Sequence, residues 1–375
     1  MRIGFEAKRA FKNFTGLGNY ARSVIKILST QHPENQYFLY TPDKVKTNRT
    51  KFLYELPNTI IRSAPLKFLK SYWRSKGVVK DLIKDEIELY HGLSHELPSG
   101  LKKAGINSIV TIHDLIYLRY PQYFKWLDRK IYDAKFRLAC KSADKIIAIS
   151  EQTKRDIIHF FGTNESKIEV VYQGCDPVFY KAENQLKLGE LKSKYQLPDE
   201  FLLCVGTIEN RKNQLLILKA LQNLPDSINL ILVGKKTPYQ DILQNFITLH
   251  NFEKRVTFLN DVPFLDLPGI YQLAKIFIYP SKFEGFGIPI LEALNCGVPV
   301  IASKGSCLEE AGGPDSYYVA NDDAEALRET ILKVFGNDEL RKQMSEKGKR
   351  FALSFREDKV GANLIKVYQE IINHA

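Results

Sequence analysis

Cysteine is scarce in this chain and shows no pairing: Cys140, Cys175, Cys204, Cys296 and Cys307 are five residues, scattered and odd in number. That distribution excludes a disulfide framework and the close cysteine spacing of a zinc site. Reduced, cytoplasmic thiols are the expectation. No apolar run approaches the roughly 20 residues that a membrane-spanning helix needs. Met1-Arg-Ile-Gly-Phe-Glu-Ala7 enters a strand pattern directly, so no signal peptide is expected. On that reading the sequons Asn13-Phe-Thr15 and Asn48-Arg-Thr50 are chance matches. Internal repeats, low-complexity tracts and nucleic-acid modules are absent. No Asp-x-Asp pair occurs either, and no metal site is expected.

Positive charge, by contrast, is in excess: 54 Lys and Arg stand against 43 Asp and Glu, a net +11. Much of it falls between Lys44 and Lys84, with Lys67, Arg74 and Lys80 among the cations and Tyr72 and Trp73 interleaved. Such a mixture suits an anionic membrane face, phosphate-bearing substrates, or a plain solvated surface.

At 375 residues the chain is long enough for two domains, each with its own core. Strand and helix patterns alternate from end to end, which indicates α/β architecture with parallel sheets. Strands are expected at Arg2–Ala7, Gln36–Tyr40, Ile87–Tyr90, Ser108–Ile112, Lys145–Ile149 and Ile168–Tyr172. A second series follows at Phe201–Val205, Asn229–Val233, Val256–Leu259, Ile276–Pro280, Val298–Ala302 and Tyr317–Val319. Helices fall between them, including Leu66–Lys84, Pro121–Lys141 and a long one over Leu340–Asn373. The fresh start after Asp176-Pro177 places the domain boundary near residue 180.

The richest stretch is Ser281-Lys-Phe-Glu284-Gly-Phe-Gly-Ile-Pro-Ile-Leu-Glu292-Ala-Leu-Asn-Cys-Gly297. It follows an apolar strand. Pro289 suits a first helical turn and Gly297 the residue past the helix end. The amides of Phe286, Gly287 and Ile288 then open a helix, a natural place for anionic phosphate. Glu284 on the loop and Glu292 on the helix are suited to binding neutral hydroxyls beside it.

Three more strand ends carry polar residues. Val110-Thr-Ile-His113-Asp114 ends at the sheet edge where α/β proteins present ligands. There His113 can donate a hydrogen bond to a hydroxyl or phosphate oxygen without titrating. Leu203-Cys-Val-Gly206 leads to Arg211-Lys212-Asn213, two adjacent cations before a helix that Asn213 could cap. Positive charge opposes the helix dipole there unless an anion is bound. Gly234, ending Leu232-Val-Gly234, lets a nucleotide approach the backbone. Finally, Gly16, Gly18 and Ala21 match the dinucleotide fingerprint. Residues Lys8 to Thr15 separate them from the first strand, however, which argues against a dehydrogenase.

The Glu284…Glu292 stretch resembles the signature of the retaining GT-B glycosyltransferases of family four, among them many bacterial mannosyltransferases. Thr15–Ala21, His113-Asp114-Leu115 and Gly206-Thr…Arg211-Lys212-Asn213 are similar to further phrases of that family. The resemblance implies two Rossmann-like domains facing across a cleft. Residues 1–180 would bind the acceptor and 181–355 the nucleotide sugar, with a final helix, about 356–375, crossing back to the first domain. It implies that Glu284 touches the donor sugar, Glu292 the ribose, and His113 the transferred sugar and diphosphate. Gly16 and Gly18 would lie over that diphosphate. Arg211 and Lys212 would meet its charge, although many relatives carry an arginine where Thr207 stands here. The implied activity is a retaining, metal-independent hexosyl transfer in cell-surface polysaccharide synthesis, with GDP-mannose the first donor and a glycan or lipid-linked acceptor. No cofactor beyond that co-substrate and no nucleic-acid partner is implied. A cytoplasmic place, peripheral to the inner membrane, is consistent with the basic segment. Two alternatives stay open: a nucleotide-sugar epimerase on the same fold, and a non-catalytic basic protein that binds membranes or glycans.

Overall fold

The computed structural model describes residues 1–65 and 69–373. The chain divides into two compact units, one of Met1–Gln173 together with the segment from Glu357, the other of Gly174–Arg356. The division falls after Gln173 rather than near residue 180. The reason is Phe179, which is fully buried in the second unit, edge-on against Phe264 and Tyr271.

The first unit carries β1 (Arg2–Glu6), β2 (Gln36–Thr41), β3 (Thr59–Ser63), β4 (Leu89–Gly92), β5 (Asn107–Ile112), β6 (Lys145–Ala148) and β7 (Ile168–Val170). The second carries β8 (Phe201–Val205), β9 (Asn229–Val233), β10 (Val256–Leu259), β11 (Ile276–Tyr279), β12 (Val300–Ser303) and β13 (Tyr317–Val319). Their orders are β3-β2-β1-β4-β5-β6-β7 and β10-β9-β8-β11-β12-β13, and the pairings are parallel. Both sheets therefore follow the doubly wound Rossmann order, with a switch point beside their first strand. Runs such as Ile109-Val110 and Leu230-Ile231-Leu232 are buried on both faces, as helix-covered parallel strands must be.

The helices depart further from the expected pattern than the strands do. Leu66, Lys67 and Phe68, the expected start of one helix, lie outside the described residues. Its remainder is helical from Lys70 to Lys84 with a π turn at Trp73–Gly77. Trp73 is core, not surface: it is buried, and its indole N–H donates to Asp81 at 2.6 Å. Several nearby cations are neutralised internally, as in the pairs Lys70–Asp43, Arg74–Glu96 and Arg62–Asp85. The long helix expected over Leu340–Asn373 is two, Asp338–Ala352 and Glu357–Asn373, parted by a turn at Leu353–Phe355. There Phe355 turns inward, 5.3 Å from Phe351 and 5.7 Å from Phe286 between ring centres. Glu357–Asn373 packs on the helix Gly16–Gln31 of the first unit, where the Tyr368 hydroxyl lies 2.6 Å from His91 Nδ1. Among the described residues no helix is long and apolar enough to cross a membrane.

Candidate active site

In the second unit β8 and β11 are neighbours, so the loops leaving their C-terminal ends meet. Arg211 and Lys212 lie on a 3₁₀ turn after β8, and the Lys282 amide donates to the Arg211 carbonyl at 2.9 Å. Glu284 follows on the β11 loop. Lys212 Nζ donates to its Oε1 at 2.6 Å, and Arg211 reaches its Oε2 at 2.8 Å. Lys212 also donates to the Tyr279 hydroxyl at 2.6 Å, while Arg211 bonds the Phe283 carbonyl and Glu209. Burial alone would raise the Glu284 carboxyl, but Lys212 and Arg211 override it and hold it down at about 2. The group is therefore a carboxylate throughout the neutral range. Two cations ahead of a helix are tolerated here because Glu209 and Glu284 offset them.

Asn213 does not cap its helix through its side chain. Its backbone is left-handed, φ +59°, and its amide instead donates to the carbonyls of Pro280 and Asn321. That ties the cation turn to the end of β11. Gly234 is explained from within the protein: a Cβ there would fall 1.8 Å from the Gly206 carbonyl oxygen. Close passage of the β8 and β9 loops requires that glycine, whatever binds nearby.

Gly287, at φ +151°, precedes the helix Ile288–Asn295, whose second residue is Pro289. A helix start leaves its first amides without intrahelical partners. Phe286 contributes a buried ring as well as backbone. Glu292 sits one turn along, half-buried, accepting from the Tyr271 hydroxyl at 2.8 Å. Burial pushes its carboxyl up to about 7, with Asp176 adding to the rise and Tyr271 opposing it. The loop after β12 lies against this turn: Cys307 Sγ is 2.8 Å from the Phe286 carbonyl and 3.0 Å from that of Glu284. The hydroxyls of Ser303, which ends β12, and of Ser306 on that loop are buried with no partner among the described residues, which suits a polar ligand.

In the first unit β1, β4 and β5 end side by side. His113 follows β5, buried, with Nε2 2.9 Å from the Leu93 carbonyl. A carbonyl only accepts, so Nε2 carries the proton. Burial pushes the ring's pKa down to about 4, and the neutral ring then offers Nδ1 as an acceptor. His113 thus has no donor left for a phosphate, and its expected role reverses. Asp114 receives the Ile116 amide at 3.1 Å. Beneath lies a buried polar chain in which Thr111 Oγ1 is 3.1 Å from the Tyr20 hydroxyl and 2.8 Å from His91 Nε2. The Tyr20 ring stands edge-on to His113 at 4.6 Å, coupling the glycine-loop helix to the strand end. Within that loop the Gly18 amide is already bonded to Asn13 Oδ1 at 3.1 Å and to the Thr15 carbonyl at 3.0 Å, whereas Gly16 faces open space.

Sequence reasoning passed over four residues that the folds bring to these places. Tyr279 and Tyr271 read simply as strand and helix core. Glu6, at the end of β1, is buried with Ser94 Oγ 3.2 Å away, and burial raises its pKa. His95 is left-handed at φ +63°, stacked on Phe136 at 4.2 Å and 5.1 Å from His113, with Nδ1 enclosed and without a partner among the described residues. The clue was available: Ser94-His95 follows a strand as His113-Asp114 does.

Two family models cover most of the chain, "Glycosyltransferase Family 4" over residues 15–179 and "Glycosyl transferases group 1" over residues 190–351. O-antigen chain mannosyltransferase B of Escherichia coli is 28% identical, spanning 98% of this chain and 100% of that protein. Among solved structures, a glycosyltransferase from Rickettsia africae superposes with a TM-score of 0.79 at 17% identity, covering 100% of this chain and 99% of that one. Anabaena Alr3699/HepE in complex with UDP-glucose superposes with a TM-score of 0.77 at 19% identity, covering 99% and 100%. These likenesses concern the fold alone.

Proposed function

Because the chain belongs to glycosyltransferase family four, with a GT-B fold and mannosyltransferase relatives, we propose that it transfers mannose from GDP-mannose to a glycan or lipid-linked acceptor. The product would be a cell-surface polysaccharide, made at the cytoplasmic face of the membrane. The observation that carries this reading is the joining of the Arg211-Lys212 pair to Glu284, 72 positions from Lys212, at one sheet edge. Mannose is favoured by the relative that matches over its whole length.

In this reading the second unit holds the donor. Glu292 accepts hydrogen bonds from the ribose, and Glu284, ionised, accepts them from sugar hydroxyls while holding both cations in place. As the C1–oxygen bond to the diphosphate breaks, Arg211 and Lys212 stabilise the charge released, the first as a fork and the second as a point charge. We assign that task to these two cations rather than to a metal clamp. The acceptor oxygen bonds C1 on the same face, and its proton passes to the departing phosphate. Configuration is retained and no enzymic nucleophile is required. His113 Nδ1 accepts from a hydroxyl of the transferred sugar, and Gly16 and Gly18 lie over the diphosphate.

The test is a panel of nucleotide sugars followed by NMR. GDP-mannose should be consumed selectively, with α-mannose appearing before its β anomer. Preference for another donor would replace the sugar assignment, and β-mannose first would overturn retention. No consumption of any donor, with or without added glycan acceptors, would overturn transfer itself.

A further inference from the structure

The helix Trp126–Ser142 rests on the first sheet through Phe136, Ala139 and Cys140. Its opposite side is apolar too. Leu127, Ile131, Ala134 and Leu138 recur at i, i+4, i+7 and i+11, which places them on one stripe. Leu127, Ile131 and Leu138 are 61%, 43% and 58% exposed, and Trp126 at the helix start is 67% exposed. Of seventeen large hydrophobic side chains exposed among the described residues, three lie on this stripe and Trp126 stands at its start, so they form a cluster rather than scatter.

Helical geometry sets Lys130, Arg137 and Lys141 along one margin of the stripe and Lys135 along the other. Arg137 is paired with Asp133 and Lys135 with Glu96, each at 2.9 Å. Lys130 and Lys141 are exposed and make no ion pair among the described residues. An apolar stripe edged by long cationic side chains matches the boundary between acyl chains and anionic headgroups, where lysine stems lie along apolar surface and ammoniums reach phosphate.

We propose that this face docks the protein on an anionic lipid surface. The helix lies in the interface with Trp126, Leu127, Ile131 and Leu138 inserted and Lys130 and Lys141 on headgroup phosphates. A second copy fits less well, because a symmetric pairing would set Lys130 and Lys141 against their own images in a chain already at +11. The surface differs from the basic segment around Trp73, whose aromatic ring is occupied in the core. The proposal rests on the reading of a membrane-associated acceptor, but its test needs no turnover.

The full-length protein should sediment with vesicles of phosphatidylethanolamine and phosphatidylglycerol and stay largely free with phosphatidylcholine vesicles. Leu127→Ser with Ile131→Ser should lower binding to the anionic vesicles at least about 30-fold. Lys130→Glu with Lys141→Glu should lower it about tenfold and erase the preference for anionic lipid. Unchanged thermal melting, and unchanged donor hydrolysis in solution, would show both variants folded. Absence of wild-type binding to anionic vesicles, or equal binding by the variants, overturns the proposal. So does a wild-type dimer in sedimentation velocity that the serine variant dissolves. Vesicle binding without consumption of any donor would sink the transferase reading and leave the lipid surface standing.

Discussion

Replacing Lys212 by methionine keeps most of the aliphatic stem and deletes one ammonium from a nearly closed cluster. That ammonium stands 2.6 Å from both Glu284 Oε1 and the Tyr279 hydroxyl, and the Lys212 and Glu284 side chains are only 13% and 12% exposed. If it stabilises the departing diphosphate, its loss should raise the barrier by about 2–4 kcal/mol, or about 30- to 1000-fold in kcat. It also leaves a buried carboxylate short of a partner, a change that costs about 3–5 kcal/mol when nothing compensates. Arg211, 2.8 Å from the other carboxylate oxygen, remains. The stability loss should therefore fall near about 2–3 kcal/mol, roughly 4–12 °C in the melting of a unit this size. Lys212→Met combined with Glu284→Gln removes both charges and should recover most of the melting loss while kcat stays low. The measurements are donor hydrolysis at saturating GDP-mannose and thermal melting of the same preparations. Wild-type turnover in Lys212→Met would remove the leaving-group role. Turnover restored along with stability in the double variant would reduce the cluster to a fold-holding device.

Glu292 gives a pH signature. Its carboxyl is raised to about 7, so its favourable contribution to stability is complete below the ordinary value near 4.5 and is lost as pH rises through about 7. Glu292→Gln should then be more stable than wild type by about 2–3 kcal/mol at pH 8 and nearly equal to it at pH 4, as thermal melts would reveal. The donor KM of the wild type should rise below about pH 7, where the protonated carboxyl turns one oxygen into a donor and is a weaker acceptor for ribose hydroxyls. The glutamine variant should lose that dependence. For the glycine loop, Gly18→Ala should lower the melting temperature, because its Cβ would lie 1.8 Å from the Asn13 carbonyl oxygen. Gly16→Ala meets nothing within 4 Å and should melt normally while raising the donor KM about tenfold. A normal KM in Gly16→Ala would detach that loop from the donor.

The strands were legible because parallel strands covered on both faces must be near-continuous apolar runs, and those expected fall within two residues of those observed. Thr59–Ser63 escaped because it is an edge strand with exposed or half-buried side chains and reads as part of the basic segment. Gln185–Lys194 escaped because it buries one residue, Leu191. At the site, residue types were legible but partnerships were not. Glu284 meets Lys212 across 72 positions, a separation no local spacing rule can span. The tautomer of His113 is set by the carbonyl of Leu93, just past the neighbouring strand, so its hydrogen-bonding sense was invisible in the phrase Ile-His-Asp. The left-handed backbone of His95 had no sign in its residue type, since histidine does not announce that conformation as glycine does.

The return of Glu357–Asn373 to the first unit reverses the order in which the ribosome can finish its work. Val360, Leu364 and Tyr368 of that helix are buried in a body whose other elements end at residue 173. All of the second unit is therefore synthesised before the first can close its core. Until Glu357–Asn373 is made, the nascent chain holds one unit with its full complement of residues and an older one with an open apolar flank and a His91 that lacks its Tyr368 partner. Truncation before Glu357 should thus injure the part of the protein made earlier.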